Sequence, residues 1–169
     1  MRKNVLRASG FAATLFVTIF STSCRTCTSD AGGGLVGAWH GKVQFTSGAF
    51  AATKDLEFMY VFNAGGTMTE SSNYDASPPV PPAYGVWKKV GLRQYSARYA
   101  YFWTRPPTNF DEIAKGGGWS PGGHGVLSQS ITLSENGNSF DSTIKYEVFD
   151  QQGKPTESAS EAVGKGARF

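Results

Sequence analysis

The sequence predicts an all-β protein: an eight-stranded antiparallel up-and-down barrel behind an N-terminal signal segment. Three observations carry the prediction. From Leu35 onward apolar and polar residues alternate with period two, in runs bounded by Gly, Pro, Asn and Asp. No long stripe with the helical period interrupts them. At 169 residues, of which 17% are charged, the chain is also long enough for one domain with a core of its own.

The first element precedes that domain. Arg2, Lys3 and Arg7 form a basic start, Ala8 to Phe20 is an uncharged apolar run, and Ser21-Thr22-Ser23 lead into Cys24. This is the pattern of an export signal, and the run is too short to cross a bilayer as a stable helix. The expected division is a signal peptide at 1–23, a flexible tether at 24–34 and the barrel domain at 35–169. The signal takes three of the 16 Lys and Arg and none of the 13 Asp and Glu, so the rest of the chain is balanced in charge. With no Lys/Arg cluster on a predicted strand face either, a nucleic-acid partner is set aside.

Both cysteines, Cys24 and Cys27, sit at the signal boundary. Cys24, directly after three small residues, resembles the acylated cysteine of a bacterial lipoprotein, with Ser21 where such signals usually carry Leu. Under that resemblance Cys24 is the lipidation site and the chain's one link to a membrane. A cleaved signal followed by a local disulfide or free thiols is the alternative. A metal is disfavoured, because a zinc site wants about four ligands. In each case the chain is exported to the periplasm, cell envelope or exterior.

The strands follow in order. The first covers 35–46, with Trp39, Val43 and Phe45 on one face and His40, Lys42 and Gln44 on the other. In the second, 55–63, Leu56, Phe58, Tyr60 and Phe62 alternate with Glu57, Met59 and Val61. Ala64-Gly65-Gly66 turns the chain, since glycine supplies the positive φ of a tight hairpin. The third strand, 67–72, is polar, as a rim or edge would be. Ser77-Pro78-Pro79-Val80-Pro81-Pro82 cannot enter a sheet, because proline lacks the donor. The fourth and fifth strands, 84–89 and 94–104, join at Val90-Gly91-Leu92-Arg93. The sixth, 125–134, ends at Glu135-Asn136-Gly137-Asn138, a type I′ hairpin signal before the seventh at 139–149. After Asp150-Gln151-Gln152-Gly153 the eighth covers 155–168.

One connection is long. Between Arg105 and Gly123, Asn109 and Glu112 form a capping pair for a single helical turn that Gly116 would stop. A connection of this length reads as a lid over a barrel mouth or as a disordered loop. The remaining hairpins favour a closed barrel, which leaves no edge, over a sandwich that would need long crossovers. An eight-stranded interior is filled by side chains or holds one small ligand.

A Gly-x-Trp near the start of the first strand and an Arg near the end of the last resemble the shared signature of the calycins, which include lipocalins, fatty-acid-binding proteins and avidins. Here those residues are Gly37, Trp39 and Arg168. The resemblance implies that Trp39 closes one end of the barrel with Arg168 packed across it, a structural role. The longer pattern, including Gly85-x-Trp87-x-x-x-Gly91-x-Arg93-x-Tyr95 and Gly164-x-Gly166-x-Arg168-Phe169, is similar to small secreted bacterial lipocalin-like proteins of uncharacterised function. It covers nearly all of the exported chain and points to a fold rather than an activity.

The stretch richest in chemistry is 95–103. Tyr95, Ala97, Tyr99, Tyr101 and Trp103 share one face. Turned inward, with Phe58, Tyr60 and Trp87, they would line a pocket for an apolar or aromatic ligand held by a few hydroxyls. Turned inward without a pocket, they fill the barrel; turned outward, they form a carbohydrate-binding strip. Trp87 repeats the Gly-x-Trp spacing and is expected to lie nearer a pocket than Trp39. His40 should face solvent, whereas His124 lies near the expected mouth, where Glu70 or Asp75 could join it in acid–base work. No Gly-x-Ser-x-Gly elbow, phosphate-cradling loop or cofactor motif appears, so no catalytic residue, cofactor or metal is assigned.

The leading expectation is therefore a non-catalytic exported barrel that binds a small apolar or aromatic molecule. A cyclase- or isomerase-type enzyme is the second, since such catalysis needs little beyond a shaped pocket and one or two polar groups, and a buried carboxyl with a perturbed pKa would support it. A filled barrel serving as a cell-envelope module is the third.

Overall fold

A computed structural model of the chain describes residues 34–74, 81–115 and 118–169. The expected signal segment and tether before Gly34, with Cys24 and Cys27, as well as Asp75 and the expected helix stop at Gly116, lie outside the described residues. The strands are β1 (Gly37–Phe45), β2 (Leu56–Phe62), β3 (Thr67–Ser72), β4 (Ala83–Lys89), β5 (Gln94–Arg105), β6 (Ser120–Leu133), β7 (Ser139–Asp150) and β8 (Ser160–Arg168), with a short helix α1 (Phe110–Ala114) between β5 and β6. Each strand pairs antiparallel with the next, and β8 returns to β1, so the sheet closes as the predicted up-and-down barrel.

Side-chain parity decides which face is inside. In β2, Leu56, Phe58, Tyr60 and Phe62 are buried while Glu57, Met59 and Val61 lie between them on the outer face. A register slip of one residue would expel four apolar side chains, and that penalty holds the pairing in place. On β8 the inward residues are small: Ser160, Ala162, Gly164 and Gly166. They leave room for large neighbours. A Cβ on Gly166 would sit 2.3 Å from the Phe140 ring.

The connections fall at two ends. The turns after β2, β4 and β6, with the start of β1, form one end; the longer connections after β1, β3, β5 and β7 form the other. The first end is sealed. Trp39 is fully buried, and its Nε1 donates to the Leu35 carbonyl at 2.8 Å. Trp39 and Arg168 are register partners across β1 and β8, and the guanidinium carbon stands 4.2 Å from the indole centroid. The same guanidinium donates to the carbonyls of Gly34, Val36 and Gly137, tying the incoming chain and the β6–β7 turn to the floor. Gly37 permits the approach: its φ is +132°, and a Cβ there would come within 2.6 Å of the Arg168 Nη1.

Three expectations are corrected. β6 begins at Ser120, not 125, because β5 and β6 keep pairing past the barrel rim across a bulge at Trp103/Thr104. Gly122 looks like turn chemistry in sequence but lies under the Trp103 ring, where a Cβ would be 2.1 Å away. β8 begins at Ser160, not 155; Pro155, without an N–H, makes only an isolated bridge to Phe149. β3 is no polar rim either, since Met68 and Glu70 point inward and are buried.

Candidate functional site

The open end holds a cavity of about 520 Å³, within the usual range for a small-molecule site. Its wall takes Phe45 from β1, Leu56 and Phe58 from β2, Glu70 from β3, Tyr101 and Trp103 from β5, Leu127 from β6, and Tyr146 and Val148 from β7. Ala49 and Phe50 reach it from the β1–β2 loop, and Thr156 and Glu157 from the β7–β8 loop.

The aromatic side chains brace one another. Phe50 contacts Phe45, Tyr74 and Tyr146 with ring centroids 5.2–5.7 Å apart, distances at which tilted and edge-to-face pairs are favourable. Tyr101 and Tyr146 lie nearly parallel, at 7°, and their hydroxyls meet at 2.6 Å. Burial raises both phenols above their ordinary range, so they stay neutral. The pair exists because position 125 is glycine: a Cβ there would come 2.6 Å from the Tyr101 ring and 2.9 Å from that of Tyr146. Gly125→Val should therefore break the pair, quench or shift tyrosine fluorescence, and lower stability by about 1–3 kcal/mol through overpacking; unchanged spectra and melting would contradict this packing.

Glu70 is the unusual member. It is 7% exposed, its Oε1 has no hydrogen-bond partner, and burial pushes its pKa up to about 8. Its register partners are Tyr60 on β2 and Ala83 on β4. The Tyr60 hydroxyl is also without a partner, and burial, then the nearby Glu70, raises its pKa. Tyr99 alongside finds a partner in Gln129 Oε1 at 3.3 Å, and Gln129 Nε2 donates to Ser142 Oγ at 2.9 Å. Glu70 thus lines the cavity next to a buried polar layer of Tyr60, Tyr99, Gln129 and Ser142 that does not.

The sequence-predicted residues divide by depth. Phe58, Tyr101 and Trp103 line the cavity. Tyr60 and Tyr99 are buried in the core cluster and are absent from the cavity wall. Tyr95 and Trp87 stand near the sealed end beside Phe62, with Trp87 Nε1 donating to the carbonyls of Asn63 and Thr67. Trp87 precedes the β4–β5 turn by a few residues and Tyr95 follows it, which puts both at the end opposite the mouth. Trp87, expected nearer a pocket than Trp39, does not line this cavity, and neither does Trp39.

Sequence reasoning overlooked Phe45, Phe50, Leu127, Tyr146 and Val148, although all but Phe50 share the parity of buried neighbours on their strands. His124 does not meet Glu70. It lies on the outer face of β6 and stacks on Phe149 at 4.9 Å. His40 is partly exposed, with Nε2 3.2 Å from Glu57 Oε2. The expected helical turn forms, with Glu112 N donating to Asn109 Oδ1 at 3.0 Å, while the Glu112 carboxylate bonds Thr108 rather than the cap. Its residues are exposed, and no described residue of 106–119 lines the cavity, whereas Phe50 of the β1–β2 loop does.

Among the described residues, no three His, Cys, Asp or Glu side chains converge as a metal site. No described helix is long and apolar enough to cross a membrane. Neither a protein-family model nor a curated protein matches this chain.

Proposed function

We propose that this chain is an exported, calycin-like barrel that binds a small apolar or aromatic molecule at its open end, without chemistry, and that Cys24 carries its lipid anchor. The observation behind the binding reading is the aromatic cavity of about 520 Å³ above a packed lower half. Export and anchoring rest on the basic start, apolar run and small residues before Cys24.

The test is a titration with phenylnaphthylamine, a neutral apolar fluorophore. Val148→Trp fills the cavity and should weaken binding at least about tenfold while the melting temperature stays near that of the parent. Unaltered binding would place the probe elsewhere and remove the support for this site. A cyclase- or isomerase-type reading is favoured by one observation, the buried and unpartnered carboxyl of Glu70. A reaction that uses Glu70 as its base would exchange a substrate C–H proton with deuterated solvent, and exchange that persists in Glu70→Gln would exclude Glu70 from that role.

A further inference from the structure

Resting on the reading that the open-end cavity is a ligand site, we propose that its ligand is an organic cation: a primary or secondary amine on an aromatic or apolar body, with the ammonium group paired to Glu70. The composition of the wall points there. Two carboxyls, Glu70 at the floor and Glu157 at the rim, line the cavity, and no Lys, Arg or His does so among the described residues. An anionic ligand would find no cationic partner among the described lining residues. A purely apolar ligand would leave Glu70 Oε1 without a donor, which is costly for a buried polar atom. An ammonium supplies the missing donor, and the rings of Phe45, Phe50, Phe58, Tyr101 and Tyr146 suit a cation as well as its apolar body.

Proton balance makes the proposal distinctive. Burial holds Glu70 protonated at neutral pH, its pKa pushed up to about 8. The titratable groups beside it are Tyr60 from β2 and Tyr99 and Tyr101 from β5, while Tyr146 from β7 and Glu157 from the β7–β8 loop share the cavity with it; β4 contributes Ala83. The four phenols are held protonated by burial and do not change charge in this range. When an ammonium ion binds, the Glu70 O–H bond breaks, the carboxylate pairs with the cation, and one proton passes to the buffer. Amine affinity should therefore rise about tenfold per pH unit up to about pH 8 and then level off.

The experiment compares naphthylmethylamine with ethylnaphthalene, its neutral isostere, by calorimetry in buffers of different ionisation enthalpy. The expected result is at least about tenfold tighter binding of the amine near pH 8, with close to one proton released at neutral pH. Glu70→Gln should abolish both the preference and the release. If both compounds bind the parent protein equally and no proton is released, the cation proposal is overturned and the apolar site stands. If neither binds, the site itself is wrong. Proton release by the parent protein needs no variant, so the outcome is decisive even if Glu70→Gln does not fold.

Discussion

Trp39→Ala should lower the unfolding free energy by about 3–5 kcal/mol, the range for deleting a fully buried large aromatic side chain. The side chain cannot be replaced by relaxation of its surroundings. Phe140 at 5.2 Å and the Arg168 guanidinium at 4.2 Å are both fixed, the first over Gly166 and the second by three carbonyls from two segments, the incoming chain and the β6–β7 turn. A double-mutant cycle with Arg168→Ala should show coupling of about 0.5–3 kcal/mol, since the two side chains share one contact. Because the cavity lies at the other end, ligand affinity should be unchanged wherever the variant remains folded. A loss below about 1 kcal/mol in denaturant titration would mean that Trp39 does not seal the barrel.

Glu70 makes the second large effect, on the pH dependence of stability. Its pKa rises from 4.5 to about 8 in the folded barrel, through burial. Below about pH 4.5 the folded and unfolded chains both hold the proton, and the full stability is present. Between about 4.5 and about 8 the folded chain keeps a proton that the unfolded chain has lost, so stability falls as pH rises. Above about 8 both forms are ionised and the loss is complete. The loss amounts to about 3–5 kcal/mol across that window. Glu70→Gln, which cannot ionise, should lack it, and the difference between the two profiles isolates this residue from every other titrating group. Parallel profiles would show that the carboxyl is hydrated rather than buried.

Much of this barrel is legible in the sequence because its physics is local. Alternation in Leu56–Phe62 and in 95–103 shows which side chains face inward, and Glu135-Asn136-Gly137-Asn138 shows where the chain reverses. Depth along the barrel axis is not written in that way. Tyr95 and Tyr101 share a face, yet one stands near the sealed end and the other lines the cavity, because position along a strand matters as much as parity. Tyr146 becomes a neighbour of Tyr101 only through the β5–β6–β7 register and the absence of a side chain at Gly125.

Glu70 was hidden for a different reason. Its strand reads Thr67, Met68, Thr69, Glu70, Ser71, Ser72, in which a single apolar residue marks the inner face. A carboxyl two positions from Met68 looks like part of a solvated rim until Tyr60 and Ala83 are seen to pair with it. The Gly-x-Trp echo at Trp87 misleads in the opposite sense. Its glycine serves a close strand approach, a Cβ on Gly85 falling 2.1 Å from the Arg98 carbonyl oxygen, and its indole caps the β2–β3 turn.

The proposed ligand site is the cavity at the open end. It is tested most directly by mapping an aromatic probe onto the folded protein with amide and aromatic NMR shifts. Saturable shifts should be confined to Phe45, Phe50, Phe58, Glu70, Tyr101 and Tyr146, with Trp39, Trp87 and Arg168 unmoved. Shifts centred on Trp39 and Trp87, or on the outer face around Tyr84 and Val86, would contradict it.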